Sequence, residues 1–126
     1  MTTALDVIRA AMRKIGLLAS GQEPSANEAK DALECLNDML ASWEAKGVYG
    51  GFPPLSLTDP MPLEDKHIAA VKAMLAVSLA DEFGAGAALS PNVKVEALTG
   101  WQGIRADFLV VNTIHHERIT PWRYWR

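Results

Sequence analysis

The sequence predicts an all-α fold: a small four-helix bundle with an extended interhelix arm and an extended C-terminal tail. Four stretches repeat apolar residues at the i, i+3, i+4 and i+7 spacing of a helix face, while Gly and Pro interrupt that spacing throughout residues 48–62. The 126 residues, 49% of them hydrophobic, suffice for one domain with a single core. We assign residues 1–111 to the helical domain and residues 112–126 to the extended C-terminal arm.

The first helix is expected over about residues 4–15. Thr3 followed by Asp6 is typical of a helix start, because each side chain can bond a free backbone N–H near that end. Gly16 either ends the helix or lies in its last turn. The apolar residues at helical spacing are Leu5, Ile8, Met12 and Ile15.

The second helix has the clearest start in the chain. Ser25 and Glu28 form the capping-box pattern, and Lys46 with Gly47 supplies a C-terminal charge and a left-handed cap. Its apolar stripe is Ala29, Leu33, Leu36, Leu40 and Trp43. Because a short connection joins them, the first two helices are expected to pack as an antiparallel hairpin.

Residues 48–62 are expected to form an extended arm with at most one short edge strand. The third helix follows over about residues 64–83, ends at Gly84 and should be the most buried of the four. Its apolar face comprises Ile68, Val71, Leu75, Leu79 and Phe83. We expect Leu36 and Trp43 to join Ile68, Leu75 and Leu79 in the common core.

The fourth helix is expected to begin at Ser90-Pro91, an N-cap followed by Pro at the first helical position. Gly100 and Gly103 lie within it, and each costs up to about 1 kcal/mol relative to Ala, which predicts a close packing contact or a kink there. The expected apolar stripe is Val95, Leu98, Trp101, Ile104 and Phe108.

Composition argues against several classes of protein. The net charge of −3 lacks the basic excess of a dedicated nucleic-acid binder. Cys35 is the single cysteine, which rules out an intrachain disulfide, indicates a reducing compartment and fits a small apolar role better than a reactive thiol. We find neither a signal-peptide pattern nor a membrane-spanning run, so synthesis in the cytoplasm is expected.

No catalytic residue, metal site or cofactor is predicted, and the chain is expected not to be an enzyme. A structural zinc site needs about four ligands, whereas the histidines are only His67, His115 and His116. The neighbouring carboxylates Glu64-Asp65 and Asp81-Glu82 do not face each other on a helix, and no serine lies in a nucleophile motif.

The C-terminal residues carry the candidate binding site. Large aromatic rings alternate with arginines, a combination enriched at protein–protein hot spots. Two alternatives stay open: packing back onto the chain's own domain, and stacking on single-stranded nucleic acid. The candidate contact residues are Ile119, Trp122, Arg123, Tyr124, Trp125 and Arg126.

Three stretches near the N-terminus resemble the opening of phage head-to-tail adaptor proteins, the packaged-DNA stabilisation proteins or tail accessory factors of short-tailed phages. They are residues 5–16, the Gly-Gln-Glu-Pro-Ser connection with the residues after it at 21–29, and residues 32–43, which include Leu-Asn-Asp-Met-Leu-x-x-Trp. Residues 60–64 leading into 76–84 are similar to the family's third helix. The resemblance covers most of residues 5–84, and its elements are specific only when taken in order.

The resemblance implies a structural virion protein, made in the host bacterial cytoplasm and located in the neck. It implies a dodecameric ring of identical subunits beneath the portal protein, extending the DNA channel and carrying the next tail or nozzle protein. Double-stranded DNA would pass without sequence-specific binding, and no membrane is involved. Family members often dock on portal through an extended C-terminal arm. They also commonly carry a longer β-rich excursion between the second and third helices, where this chain has only residues 48–62.

Two other functions remain open from the sequence. One is a small cell-wall hydrolase, which would need a carboxyl group of raised pKa in a substrate cleft. The other is a nucleic-acid-binding regulator that uses the basic aromatic tail, whose affinity would fall steeply with salt.

Overall fold

The computed structural model describes residues 2–19, 21–48, 51–84 and 89–119, with side chains up to residue 108. Within these residues the fold is all helical, as predicted. The helices are α1 (Ala4–Lys14), α2 (Ala26–Ala45), α3 (Asp65–Glu82) and α4 (Pro91–Ile119).

Local sequence signals set the helix ends. Capping boxes form at both predicted starts: the hydroxyls of Thr3 and Ser25 accept from the N–H three residues on, and the Asp6 and Glu28 carboxylates accept from the cap N–H groups. The helices end before Gly16, Gly47 and Gly84, whose φ values of +77°, +94° and +69° lie in the left-handed region that favours glycine.

Helix α3 is the centre of the bundle. It packs against α1, α2 and α4, and its interfaces with α4 and α1 are the most extensive. Helices α1 and α2 contact each other as expected, but α1 packs more extensively on α3 than on α2. All five predicted core residues are buried, namely Leu36, Trp43, Ile68, Leu75 and Leu79.

The arm between α2 and α3 is held by the start of α1. The N–H groups of Ala4 and Leu5 donate to the carbonyls of Asp59 and Leu57, both at 3.0 Å, so the arm satisfies donors that a helix N-terminus leaves free. Apart from one isolated bridge between Thr3 and Pro60, the described part of the arm forms no strand.

The arm is also fastened to α2 by a side chain. The Asn37 amide accepts from the Leu55 N–H at 2.9 Å and donates to the Leu55 carbonyl at 3.1 Å. This pair places the Leu55 side chain in the core, where it is buried.

Helix α4 continues past the predicted boundary at residue 112 and ends at Ile119. Between Asn112 and Ile119 the chain has no Gly or Pro, so nothing in the sequence interrupts the backbone hydrogen-bond ladder before Pro121. The extended segment therefore does not begin at residue 112, and residues 120–126 lie outside the described part of the chain.

Candidate interaction surfaces

The candidate site at the C-terminus falls almost entirely outside the described residues. Ile119 is the last residue of α4, while Trp122, Arg123, Tyr124, Trp125 and Arg126 come after the described part. Their docking role stays a prediction from the sequence.

Part of the predicted apolar stripe of α4 is on the surface. Val95 is 63% exposed and Leu98 is 60% exposed, whereas Ile104 is fully buried. The helix is turned so that Ala97 and Gly100 face the bundle. Gly100 causes this orientation: a Cβ there would collide with the Cβ of Ala70 and lie 3.0 Å from its Cα, so only glycine permits this approach to α3.

The two glycines of α4 therefore differ. The close packing contact predicted for this region occurs at Gly100. A Cβ at Gly103 would have no neighbour within 4 Å, so that glycine has no packing role among the described residues.

A groove runs between α2 and α4 above α3. Both helices pack on α3, while direct packing between the described parts of α2 and α4 is slight at most. The groove encloses about 320 Å³, and α3 forms its floor through Met74 and Val77. Its walls are Met39, Trp43 and Lys46 from α2 and Lys94, Leu98 and Trp101 from α4. We call this feature the α2–α4 groove.

Two tryptophans that line the α2–α4 groove pack against each other. The ring centroids of Trp43 and Trp101 lie 5.4 Å apart, and the Trp43 ring meets Phe52 edge-on at 5.7 Å. The Lys46 Nζ stands 5.7 Å from the centroid of the Trp101 ring, within cation–π range. This packing fixes the position of Trp101 although it is only half-buried.

Neither lysine of the groove has a carboxylate partner among the described residues. The ion pairs among the described residues involve other cations, namely Arg9, Lys14, Lys66 and His67. The Trp43 Nε1, which is buried, likewise has no hydrogen-bond acceptor among the described residues. The groove is thus an apolar surface with two lysines at its rim that pair with no described carboxylate.

A polar cluster joins the start of α3 to α4 about two turns after Gly100. His67 is buried, and its Nε2 lies 2.9 Å from Asp107 Oδ2, which also receives Lys66 Nζ at 3.2 Å. The hydrogen bond from His67, followed by that from Lys66, lowers the pKa of Asp107 below its ordinary value of 3.8. The Asp107 carboxylate thus accepts from two donors and links α3 to α4, and Lys66 also lies 3.6 Å from the Glu64 carboxylate.

Cys35 is half-buried against the core. Burial, followed by the nearby charges of Glu82 and Asp38, raises the pKa of its thiol above 9.0. The thiol is therefore protonated at neutral pH. This state agrees with the apolar role expected for it.

The outer face of α2 is acidic. Asp31, Glu34 and Asp38 are exposed at i, i+3 and i+7, so they form a row along one side of the helix. Such a row repels phosphate rather than binding it.

Some candidate features occur nowhere in the described residues. No group of three or more potential metal ligands lies together there, although the side chains of His115 and His116 are not among those described. No described helix combines the length and the apolarity that a bilayer span requires.

Comparison of the chain with protein-family models, with curated proteins and with solved structures gave no match.

Proposed function

We propose that the chain is a structural head-to-tail adaptor subunit of a phage virion. In this role identical copies form a ring under the portal protein, extend the DNA channel, help to retain packaged DNA and carry the next tail protein. The observation that carries the proposal is the ordered set of sequence elements in residues 5–43, which resembles the opening of that family.

Several residues of those elements have a structural task in this chain. Gly21, with φ of +80°, turns the connection between α1 and α2. The Arg9 guanidinium holds that connection through Glu23 at 2.7 Å. Ser25 then caps α2. These residues of the resembling stretches set the turn between α1 and α2 and the start of α2.

The charge of the molecule suits a wall past which DNA slides. A channel that bound phosphates tightly would resist ejection, whereas the net charge here is −3 and the exposed row of α2 is acidic. No cofactor or catalytic group is part of the proposal, and the chain acts by binding alone.

Assembly with portal tests the proposal. The purified chain should sediment as a small species alone and should join purified portal rings of the same phage genome, adding a ring of density beneath portal in electron micrographs. Absence of co-sedimentation under conditions where portal is intact would contradict the adaptor role. Stable free rings at low micromolar concentration would contradict assembly on portal.

The C-terminal residues should supply the main portal contact. Deleting residues 121–126 is expected to leave the melting temperature of the helical body unchanged and to weaken portal binding strongly, because several anchors are lost together. Trp122→Ala and Trp125→Ala should each reproduce part of the loss. Unchanged binding would contradict the docking arm, and a lower melting temperature would show that the arm packs on its own domain.

Two assays separate the proposal from the other functions open from the sequence. Clearing of purified cell walls by the protein would favour a hydrolase. Binding to single-stranded DNA that falls steeply with salt would favour a nucleic-acid-binding regulator.

A further inference from the structure

We propose that the α2–α4 groove is a docking site for an acidic, apolar segment of another protein. The segment would place a few large apolar side chains on Met74 and Val77 and set carboxylates against Lys46 and Lys94. The groove would serve such a partner whether or not the chain is a head-to-tail adaptor, so this proposal goes beyond the function given above.

The shape of the groove indicates a peptide segment. Two helix walls lie over a third helix, and each wall presents residues at i, i+4 and i+7, such as Met39, Trp43 and Lys46. This is the arrangement in which a helix or extended segment lays an apolar face between two helices. The volume of about 320 Å³ admits a few side chains and is too small for a whole helix.

The rim of the α2–α4 groove exposes a large apolar side chain to solvent. Leu98, on the rim, is 60% exposed, whereas Val95, which is 63% exposed, lies outside the groove beside Thr99 and Gly100. Leu98 extends the apolar lining formed by Met39, Met74 and Trp101 out to the surface, and a contiguous apolar patch marks a binding site more often than a scattered apolar residue does. None of the described large apolar residues of α1 and α2 is exposed to this extent.

The two lysines of the α2–α4 groove favour an acidic partner. Lys94 stands at the start of the α4 wall and Lys46 at the end of the α2 wall, and neither pairs with a described carboxylate. An acidic segment would neutralise both, and positive charge at a rim also speeds the encounter with an acidic partner.

The chain's own segments fit the groove poorly. Residues 120–126 contain Arg123 and Arg126 and no acidic residue, so the two lysines would repel them. The acidic row of α2 on a second copy has no exposed large apolar residue to fill the groove, because the large exposed apolar side chains described are Val95 and Leu98. A different protein is therefore the favoured source.

The test uses the full chain and three labelled helical peptides of matched length. The first has leucines at i, i+4 and i+7 with flanking glutamates, the second has lysines in place of the glutamates, and the third has serines in place of the leucines. The first should bind most tightly, the lysine peptide should bind about fivefold more weakly at low salt, and the serine peptide should not bind measurably. Equal binding of the glutamate and lysine peptides would overturn the proposal.

Surface variants locate the site. Leu98→Glu should weaken binding of the glutamate peptide by at least about tenfold, while Thr99→Glu, which adds the same charge at an exposed neighbour outside the groove, should not. Lys94→Glu should reverse the preference between the glutamate and lysine peptides, and Lys30→Glu, exposed on α2 away from the groove, should leave it. All four positions are exposed or at the rim, and an unchanged circular dichroism melt confirms that each variant folds.

Two further measurements test the other occupants. If the peptide Thr-Pro-Trp-Arg-Tyr-Trp-Arg, residues 120–126, bound in a manner abolished by Leu98→Glu, the chain's own arm would be the occupant and the proposal would be wrong. If the unmodified protein self-associated in sedimentation and Leu98→Glu removed that association, the occupant would be a second copy. Absence of both results, with binding of the glutamate peptide, supports an acidic partner.

Discussion

Helices α3 and α4 share the most extensive helix interface of the molecule, yet they use their apolar residues differently. Helix α3 touches three other helices, and its buried residues are spread around much of its circumference, from Ile68 and Val71 to Ala73 and Ala80. Helix α4 packs mainly on α3, buries one stripe and leaves Val95 and Leu98 in water.

The difference shows how position in the bundle decides what an apolar residue does. A helix surrounded on several sides buries apolar residues whatever their spacing, so its residues serve stability. A helix packed on one side has a free face, and apolar residues there cost solubility without stabilising the fold. The docking role that we propose for the α2–α4 groove would give a function to Leu98, which lies on its rim.

Truncation in the two helices should give the largest contrast. Leu75→Ala removes a fully buried side chain from the centre of α3 and should lower the free energy of unfolding by about 2 to 5 kcal/mol. Leu98→Ala should change it by no more than about 0.5 kcal/mol, since the side chain is mostly exposed. Urea unfolding measures both. Equal losses would break the distinction between the helices.

The two glycines sharpen the contrast within α4 itself. Gly100→Ala should destabilise by about 1 to 3 kcal/mol, because the added methyl group meets Ala70 at the α3 interface and the backbones must separate. Gly103→Ala should stabilise by up to about 1 kcal/mol, since its Cβ meets nothing and alanine favours the helix. Thermal melts that moved in the same direction for both variants would contradict the assigned rotation of α4.

The arm offers a comparison outside the α3–α4 interface. Asn37→Ala removes both hydrogen bonds to Leu55 and should cost about 1 to 2 kcal/mol. Amide exchange should accelerate at Leu55 while the centre of α3 stays protected. Equal acceleration in α3 would show that arm and core open as one unit.

The smallest effect should be the pH dependence of stability that arises from Asp107, whose contacts with His67 and Lys66 join α4 to α3. Because the folded pKa of Asp107 is lowered, its contribution to stability is present above its ordinary value of 3.8 and is lost as pH falls through the folded pKa. Asp107→Asn should therefore lower stability modestly at neutral pH and less at pH 3. A difference between the two proteins that grew on acidification would have the wrong sign.

Sequence patterns predicted the helix starts and the ends of α1, α2 and α3, because those signals act within a few residues, but they placed the end of α4 near residue 111, whereas the helix continues to Ile119. The capping boxes at Thr3 and Ser25 and the glycines at 47 and 84 lie where predicted. The stripe of α4 was only half right: Ile104 is buried, but Val95 and Leu98 are not. Helical spacing alone permits either of two overlapping stripes, and the contact of Gly100 with Ala70 chooses between them.

The sequence by itself determined the four helices apart from the end of α4, the caps of α1 and α2, the extended arm and the five core residues, because each depends on local hydrogen bonding or on a strong apolar period. Only the tertiary structure decided the rotation of α4, the tie between His67 and Asp107, 40 residues apart, and the α2–α4 groove. These depend on which faces meet when α2 and α4 both pack on α3, and that meeting is set by the packing of distant residues rather than by any local pattern.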